Sequence, residues 1–267
     1  MLQRLGGRSE AELPDLDAPE RRLSFDPGPD TLYVIGDVHG CLAQLKALEA
    51  RIVADAEHRA GENWIVMLGD LVDRGPDSAA VIDHMLTSPP AGFQRQCLMG
   101  NHEAAMLAFI ARPRRGDRWL EFGGVETLLS YGVPLDALED PHLPQRQFAA
   151  LVQRHIPDEH IAFMSGLPLL IETPEAILCH AGLMPGVPLA AQSATDLIWY
   201  RDDFAADYLD FGKVVVHGHT IREAPLVTPG RIAIDTGAFA TGRLTAVRLA
   251  RGEPPFLIDT SSMLAGS

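Results

Sequence analysis

The sequence is short of cysteine and of long apolar runs. Its 267 residues include three cysteines, Cys41, Cys97 and Cys179, which are widely spaced and form no Cys-x-x-Cys pair. An odd number of scattered cysteines argues against a disulfide framework and indicates a reducing compartment. No apolar run approaches the ~18 residues of a membrane span, and residues 1–20 lack the apolar core of a signal peptide. We therefore expect a cytoplasmic protein with no membrane partner.

Positive charge is also scarce. Lysine and arginine number 22 against 36 aspartates and glutamates, which gives a net charge of −14 at pH 7. An acidic chain repels phosphate backbones, so we expect no nucleic-acid partner. An anionic substrate would need a local positive centre, either a cluster of arginines or bound metal ions. Because 46% of the residues are hydrophobic, the chain can bury a sizeable core.

The pattern of apolar runs predicts two regions. Residues 1–30 are rich in proline and charged residues and show no sustained period, so we expect a flexible tail that docks near Leu23 and Phe25, with residues 31–267 as a single domain. From residue 31 short apolar strands alternate with helical patterns, and short strands return after residue 166. Between them, about residues 103–166 show helical periodicity and predict a cap insertion. The expected fold is α/β: a four-layer α/β/β/α sandwich of two mixed sheets with a helical cap.

Five polar clusters each follow directly on a predicted strand. They are GDVHG at 36–40, GDLVDRG at 69–75, GNHE at 100–103, CHAG at 179–182 and HGHT at 217–220. Taken singly, each is typical of a turn, a helix cap or a structural histidine. Ligands bind beyond the carboxyl ends of strands in open α/β sheets, so we expect the five clusters to meet in one crevice. Coincidence explains their joint occurrence poorly, since buried charged groups need partners or a metal.

The residue types in these clusters predict a site for two divalent metal ions. Asp, His and Asn ligands suit Mn²⁺, with Fe²⁺ and Zn²⁺ as the other candidates, rather than Ca²⁺ or a thiolate-bound zinc. Asp37 and His39 are spaced to face one ion, and Asp70 can bridge two ions about 3.5–4 Å apart. Two cations would let an acidic protein bind a phosphate group, and a water bridging them becomes a hydroxide nucleophile near neutral pH. The remaining ligands of the second ion are expected to be Asn101, His180 and His219.

The series GDxHG, GDxVDRG, GNHE, a later strand ending in His, and GH resembles the signature of the calcineurin-like metallophosphoesterases. Asp-Arg-Gly in the second motif and Glu103 after Asn-His are similar to the PPP-type serine/threonine protein phosphatases of the bacterial and phage branch. The stretch IDTGAFATGRLTAVRL near the end also resembles the symmetrical diadenosine tetraphosphatases. The resemblance covers about residues 31–250 and implies the metal ligands named above.

The resemblance also implies roles for four further residues. Arg74 and Arg201 would grip the phosphoryl oxygens, a task that suits the planar guanidinium fork. His102 would protonate the leaving oxygen, and Asp73 would hold it and stabilise its charged form. The family pattern matches His219 rather than His217, so we interpret His217 as a structural residue or one that orients a ligand.

Two functions with different substrates remain open on this evidence. The first expectation is a metal-dependent phosphoprotein phosphatase that uses a metal-bound hydroxide on phosphoserine and phosphothreonine, with phosphotyrosine and small phosphate esters as further substrates. The alternative is a symmetrical diadenosine tetraphosphate hydrolase. Asp73 and Glu103 favour the phosphatase by their resemblance to that branch. The segment Arg112–Trp119 favours the alternative, because its arginines and Trp119 suit a polyphosphate and a base, although a solvated helix end with a buried Trp is the simpler interpretation.

Overall fold

The computed structural model describes residues 13–201 and 211–261 and contains two β-sheets. The first sheet has five strands in the order β11-β10-β2-β3-β4. Its strands are β2 (Thr31–Ile35), β3 (Asn63–Met67), β4 (Phe93–Cys97), β10 (Thr245–Ala250) and β11 (Phe256–Asp259). β2, β3 and β4 are mutually parallel, whereas β10 runs antiparallel to both β2 and β11. The carboxyl ends of β2, β3 and β4 therefore lie side by side.

The second sheet has six strands in the order β1-β5-β6-β7-β9-β8. Its strands are β1 (Arg22–Ser24), β5 (Leu170–Glu172), β6 (Ala176–Cys179), β7 (Val214–His217), β8 (Leu226–Val227) and β9 (Arg231–Ala233). β6, β7 and β9 are parallel, and β5 and β8 are antiparallel to their neighbours β6 and β9. Both sheets are thus mixed, as the sequence predicts.

The strands alternate between two apolar layers. In β2, Val34 faces the layer between the sheets, together with Val66 and Val216, whereas Tyr33 and Ile35 join the layer formed with the helices. Every residue of β2 and β3 is buried, because each strand is covered on both faces. The predicted α/β/β/α sandwich is confirmed.

Nine α-helices lie within the described residues. They are α1 (Leu42–Ala56), α2 (Ser78–Leu86), α3 (Asn101–Ala111), α4 (Gly124–Ser130), α5 (Leu135–Glu139), α6 (Gln145–His155), α7 (Asp158–Ser165), α8 (Ala194–Trp199) and α9 (Ala238–Thr241). Short 3₁₀ helices occupy Pro19–Arg21, Arg118–Phe122 and Leu189–Ala191. No helix in the described ranges is both long and apolar enough to cross a membrane.

The segment predicted as a cap consists of helices and turns between β4 and β5. It begins two residues earlier than expected, because α3 starts at Asn101 and carries site residues in its first turn. α4 and α7 both pack against α2, so the segment continues the helical layer of the first sheet. We therefore describe it as part of that layer.

The folded region starts before residue 31. Arg22–Ser24 forms β1, which pairs in parallel with β5, and Phe25 packs edge-on against Trp64 with ring centroids 4.7 Å apart. Leu23 and Phe25 alternate with polar neighbours and pack against the layer between the sheets. This alternation is the physical reason why residues 22–25 pack against the domain, at the place where docking of the tail was expected. Residues 1–12 of that tail lie outside the described residues.

Candidate active site

The five polar clusters meet at the carboxyl ends of strands from both sheets. Asp37, Asp70 and Asn101 follow β2, β3 and β4, and His180 and His219 follow β6 and β7. All of these side chains are buried. Two hydrogen bonds join the sheets at this point: His180 Nδ1 donates to the carbonyl of Leu68 at 3.0 Å, and the His219 amide donates to Asp37 Oδ2 at 3.0 Å. The strand ends therefore form one crevice between the sheets.

The backbone of the site adopts an uncommon conformation. Within the described residues, positive φ angles outside glycine occur at five positions, all of them in these clusters: His39, Asp70, Asp73, Arg74 and His219. Such left-handed conformations cost free energy and persist only where the surrounding structure holds them, and they concentrate at functional sites. The sharp turns that result direct successive polar side chains into the same crevice.

Asp70 stands at the centre of this crevice. Its Oδ2 lies 3.6 Å from His39 Nε2 on one side and 3.3 Å from His180 Nε2 on the other. Two groups of side chains that could each hold a metal ion share Asp70: one contains His39 and His102, and the other contains His180 and His219. Asp70 thus occupies the position expected of a bridging ligand.

The histidines present their ring nitrogens as metal ligands do. His39 Nδ1 donates to the carbonyl of Val72 at 2.8 Å, which leaves Nε2 as the unprotonated nitrogen facing Asp70. His180 Nδ1 likewise donates to a backbone carbonyl, that of Leu68. Its Nε2 lies 3.0 Å from Asn101 Oδ1 and 3.2 Å from His219 Nδ1. A backbone carbonyl on the second nitrogen is the usual partner of a ligating histidine.

The donor set fits divalent cations. Asp37 Oδ1 is buried and has no hydrogen-bond partner, although Oδ2 is paired. A buried unpaired carboxylate oxygen is costly unless a cation satisfies it. The lone pairs of two imidazoles and two carboxylates converge on the same space, which likewise requires a positive partner. The predicted ligands therefore fit the metal ions, but Asp37 lies apart from the group of His39, Asp70 and His102.

The pKa values of the Asp37 and Asp70 carboxylates are shifted in opposite directions. Burial and the charge of Asp235 raise the pKa of Asp37 well above its ordinary value. Burial acts in the same direction on Asp70, but the neighbouring histidines outweigh it and hold the pKa of Asp70 well below its ordinary value. Burial lowers the pKa of His180, yet Asp70 and Asp37 raise it to about 10. Positive charge next to Asp70 is thus strongly favoured.

His102 and Asp73 form a buried pair beside the metal-type ligands. His102 Nδ1 donates to Asp73 Oδ2 at 2.6 Å, and its Nε2 points toward Asp70 Oδ2 at 3.8 Å. Burial lowers the pKa of His102, but Asp70 and Asp73 outweigh that effect and raise it. Asp73 also accepts the indole N–H of Trp119 at 2.7 Å and the hydroxyl of Thr127 at 2.6 Å. Both partners come from the helical segment, which therefore fixes the orientation of the pair.

Arg74 reaches into the same crevice, whereas Arg201 lies at its edge. Arg74 Nη1 donates to His39 Nε2 at 2.9 Å, and its Nη2 lies 3.2 Å from His102 Nε2, a contact that is a hydrogen bond only while that ring nitrogen carries no proton. Its guanidinium also stacks 4.8 Å from the ring centroid of Phe239, a contact that sequence reasoning missed. Arg201 is exposed at the end of the described range 13–201. Burial and the charge of His180 lower the pKa of His219 to about 3, and Arg201 makes a smaller contribution in the same direction.

Sequence reasoning also missed the role of Glu103. Its carboxylate is fully buried and accepts backbone N–H groups of Asp70, Leu71, Val72 and Gly100 at 2.7–3.2 Å. Glu103 therefore holds the strained turn that carries Asp70. Its place in the GNHE motif was visible in the sequence, but its function depends on contacts more than 30 residues away.

Asp235 is the second missed residue. It follows β9 in the IDTG stretch, is buried, and leaves Oδ2 without a hydrogen-bond partner. A Cβ added to Gly36 would lie 2.7 Å from the carbonyl of Ile234, so the chain immediately before Asp37 touches the chain immediately before Asp235. A lone aspartate after a strand gave no sufficient signal of this proximity.

His217 lies outside both of these metal-type groups. Its Nε2 accepts a hydrogen bond from Arg231 Nε at 2.8 Å, and Nδ1 lies 3.1 Å from the carbonyl of Gly218. Burial and Arg231 lower the pKa of His217 to about 3. The contact with Gly218 is next to His219, which agrees with a supporting rather than a ligating position.

A two-sheet α/β sandwich with Asp, His and Asn side chains at its strand ends defines a metal-dependent phosphoesterase. Residues 31–223 match the model of the calcineurin-like phosphoesterase family, and the chain belongs to that family. Its members depend on a dinuclear metal centre, and the candidate metal-binding residues of this chain lie in the crevice described above.

Individual relatives carry names that are more specific than that of the family. The asymmetrical bis(5'-nucleosyl)-tetraphosphatase PrpE of Oceanobacillus iheyensis is 27% identical over 240 residues, which cover 82% of this chain and 89% of that protein. A symmetrical bis(5'-nucleosyl)-tetraphosphatase of Shewanella sp. (strain ANA-3) is 29% identical over 218 residues, or 81% of this chain and 66% of that protein. A crystal structure described as that of a candidate diadenosine tetraphosphatase has a TM-score of 0.61 at 22% identity and covers 89% of this chain and 96% of that one. At that identity the structure supports the fold alone.

These relatives correct the expected substrate. The prediction of a phosphoserine and phosphothreonine phosphatase with a phosphoprotein partner is wrong, because the matched relatives are named tetraphosphatases. Asp73 and Glu103 misled us for a physical reason. Asp73 orients His102, and Glu103 holds the backbone of the Asp70 turn. Both contacts shape the site itself, and a proton donor at His102 assists phosphate esters and, to a smaller extent, phosphoanhydrides.

Proposed function

We propose that the protein hydrolyses bis(5'-nucleosyl) tetraphosphates at the crevice around Asp70. The observation that carries the proposal is that tetraphosphatases match more than 80% of the chain. The geometry agrees with hydrolysis of a phosphoanhydride, since two groups of side chains that could hold metal ions, an arginine and the His102–Asp73 pair lie within one site. The alternative that the sequence left open, a symmetrical diadenosine tetraphosphate hydrolase, is thus the function we favour for its substrate, and the product analysis below decides between a symmetrical and an asymmetrical cut.

Six side chains would hold the two metal ions. We assign Asp37, His39 and Asp70 to one ion, and Asp70, Asn101, His180 and His219 to the other. When bound, the ions supply Lewis-acid activation of water and neutralise phosphate charge. Manganese is our proposed metal, because mixed carboxylate, imidazole and amide ligands suit a borderline-hard divalent ion.

Arg74 and Arg201 would bind the oxygens of the attacked phosphoryl group. Arg74 is already held in the crevice by its stacking on Phe239, whereas its hydrogen bond to His39 Nε2 would be replaced when that nitrogen binds a metal ion. Its planar fork matches two phosphate oxygens, and the stacked ring limits the rotamers it must lose on binding. Arg201 is exposed, and its charge acts on His219, so it would be available to the same phosphoryl group.

His102 would give its Nε2 proton to the oxygen that leaves phosphorus. Asp73 fixes the proton on Nδ1, so a second proton on the ring must sit on Nε2, which faces the crevice. Burial lowers the pKa of His102, but Asp70 and Asp73 outweigh it and raise the pKa, which favours the protonated ring. A nucleotide departs as a stable anion, so the proton assists this reaction less than it would assist release of an alkoxide.

We place this reaction in the cytoplasm. The three cysteines are all buried and free, as in a protein that needs no oxidising compartment.

Product analysis tests the proposal. Purified protein with Mn²⁺ is incubated with diadenosine tetraphosphate, and the nucleotides are separated by anion-exchange chromatography. We expect turnover that stops in Asp70→Asn. Two molecules of ADP would identify symmetrical cleavage, and AMP with ATP asymmetrical cleavage. Release of inorganic phosphate from phosphopeptides without cleavage of the dinucleotide would overturn the proposal.

A further inference from the structure

A cleft of about 580 Å³ lies beside the crevice, on the helical segment. Its walls come from α3, from the 3₁₀ helix Arg118–Phe122 and from α8. This volume falls within the range of about 300–1,000 Å³ typical of small-molecule sites. The sequence suggested a polyphosphate and a base for Arg112–Trp119, but none of the roles assigned to the crevice uses this cleft.

The charge of the cleft is opposite to that of the protein. Arg112, Arg114 and Arg118 line it, and all three are exposed, although the chain as a whole carries a net charge of −14. One acid, Asp117, also lines the cleft, but its carboxylate accepts the backbone N–H of Trp119 at 3.0 Å. The cleft is therefore a local positive centre that attracts anions.

Two large aromatic side chains are exposed to solvent in the same cleft. Phe122 is 48% exposed and Trp199 is 46% exposed. The guanidinium of Arg118 lies 5.6 Å from the centroid of the Phe122 ring. Exposed flat rings next to arginines are the combination that binds nucleotides, because bases stack on the rings while the arginines hold phosphates.

The cleft is joined to the reaction centre through shared residues. Trp119 lines the cleft, is only 3% exposed, and donates its indole N–H to Asp73. The Arg74 amide donates to the carbonyl of Gly123 at 3.3 Å, directly after the 3₁₀ helix. On the other wall, Trp199 precedes Arg201 by two residues. A ligand in the cleft would therefore extend toward the attacked phosphorus.

We propose that this cleft binds the nucleoside end of the substrate, with the base on Trp199 and Phe122 and the intervening phosphates on Arg114 and Arg118. The proposal rests on the proposed function for the identity of the substrate. It adds the site that selects a nucleotide over another phosphate ester. An acidic peptide in the same cleft is the competing outcome of the test.

Competition kinetics separate the base from the phosphates. The inhibition constants of ATP and of inorganic tripolyphosphate are measured against p-nitrophenyl phosphate turnover by the Mn²⁺-loaded enzyme. In Trp199→Ala we expect the constant for ATP to rise about tenfold or more, since a stacked base contributes about that much. The constant for tripolyphosphate, which has no base, should change less than twofold. Phe122→Ala should act in the same direction as Trp199→Ala.

Matched controls come from the surface elsewhere. Phe256→Ala removes a 49% exposed ring on β11, and Arg251→Ala removes an exposed arginine paired with Glu175. Neither should alter the inhibition constant of ATP. Arg118→Ala should raise the constants of ATP and tripolyphosphate together by about threefold, and less at high salt.

Two results would overturn the proposal. One is an ATP constant that is unchanged in both Trp199→Ala and Phe122→Ala. The other is a wild-type enzyme that binds ATP no better than tripolyphosphate while Trp199→Ala raises KM for an acidic phosphopeptide. If wild type fails to cleave the dinucleotide, the proposed function fails, but the competition experiment still reports whether the cleft binds a base.

Discussion

The crevice around Asp70 and the cleft around Trp199 are neighbours, yet they are built differently. The crevice is formed by buried charged side chains on turns with positive φ at the ends of β-strands. The cleft is formed by exposed arginines and aromatic rings on helical segments. Trp119 contacts both, since it lines the cleft and binds Asp73.

This difference in construction separates the requirements of catalysis from those of substrate selection. Chemistry on a phosphoanhydride needs ligands held rigidly, which the strained turns and the carboxylate of Glu103 provide. Choice of substrate needs a surface that can change without disturbing those ligands, and an exposed helical wall satisfies this condition. Changes in the crevice should therefore affect every substrate, and changes in the cleft should affect nucleotides.

The largest effect is expected from Asp70→Asn. Loss of the central charge should reduce turnover of p-nitrophenyl phosphate and diadenosine tetraphosphate alike by about 10³-fold or more, because metal-assisted catalysis contributes several kcal/mol. Turnover and metal content by mass spectrometry check this outcome. The control is Asp77→Asn, an exposed aspartate just before α2. Full activity with two ions retained would remove Asp70 from the bridging position.

His102→Ala should discriminate between leaving groups. We expect a loss of about 10²–10⁴ for an alkyl phosphate ester, which is the usual contribution of a positioned proton donor. The loss should be much smaller for diadenosine tetraphosphate and for p-nitrophenyl phosphate, whose leaving groups need little protonation. Initial rates on the three substrates provide the measurement. Equal losses on all of them would indicate a role in binding or in positioning the metal ions.

Glu103→Gln tests whether the crevice depends on its backbone support. The amide keeps one acceptor oxygen and places an NH₂ group against N–H groups that the carboxylate now satisfies. We expect the free energy of unfolding to fall by about 2 kcal/mol, the cost of leaving buried donors unpaired. Urea unfolding of this variant is compared with Glu126→Gln, an exposed site on α4. Identical midpoints would show that the turn holds without Glu103.

Asp73→Asn should move the pH profile. Burial lowers the pKa of His102, while Asp70 and Asp73 raise it, so the native enzyme keeps the proton to higher pH. Removing the charge of Asp73 lowers the pKa of His102, and the alkaline limb of kcat should shift to lower pH by about one unit or more. The profile is recorded with the alkyl phosphate ester, for which the proton matters. An unshifted limb would mean that another group titrates there.

The smallest effect is expected in the cleft. Arg114→Ala should raise KM for diadenosine tetraphosphate about threefold at low ionic strength, because an exposed cation attracts the polyphosphate through solvent. The difference should shrink as salt approaches about 1 M, where the screening length falls to about 3 Å. A KM change that persists at high salt would indicate a direct, desolvated contact.

The sequence predicted the sandwich and the five strand-end clusters because these signals are local. Apolar strands followed by glycine, aspartate and histidine are visible within a few residues, as at Asp37 and His180. The roles of Glu103, Asp235 and Trp119 were not visible, since each depends on a partner far along the chain. Trp119 and Asp73, for example, are 46 residues apart. β1 was missed for the same reason, because its three residues are ordered by β5.

The substrate was misjudged on residues that serve any phosphoryl transfer. Asp73 and Glu103 support His102 and the Asp70 turn, so they carry no information about what lies beyond the attacked phosphorus. That information lies in the cleft, whose walls come from residues 105–122 and from Trp199. Their proximity is a property of the fold and has no periodic signal in the sequence.

A direct comparison of two substrates tests the central claim. The ratio of kcat/KM for diadenosine tetraphosphate to kcat/KM for a phosphoserine peptide is measured at one Mn²⁺ concentration and one ionic strength. The structure and the relatives together predict a ratio of about ten or more in the wild-type enzyme. A ratio below one would contradict the proposed hydrolysis of tetraphosphates and would favour a phosphoprotein phosphatase instead.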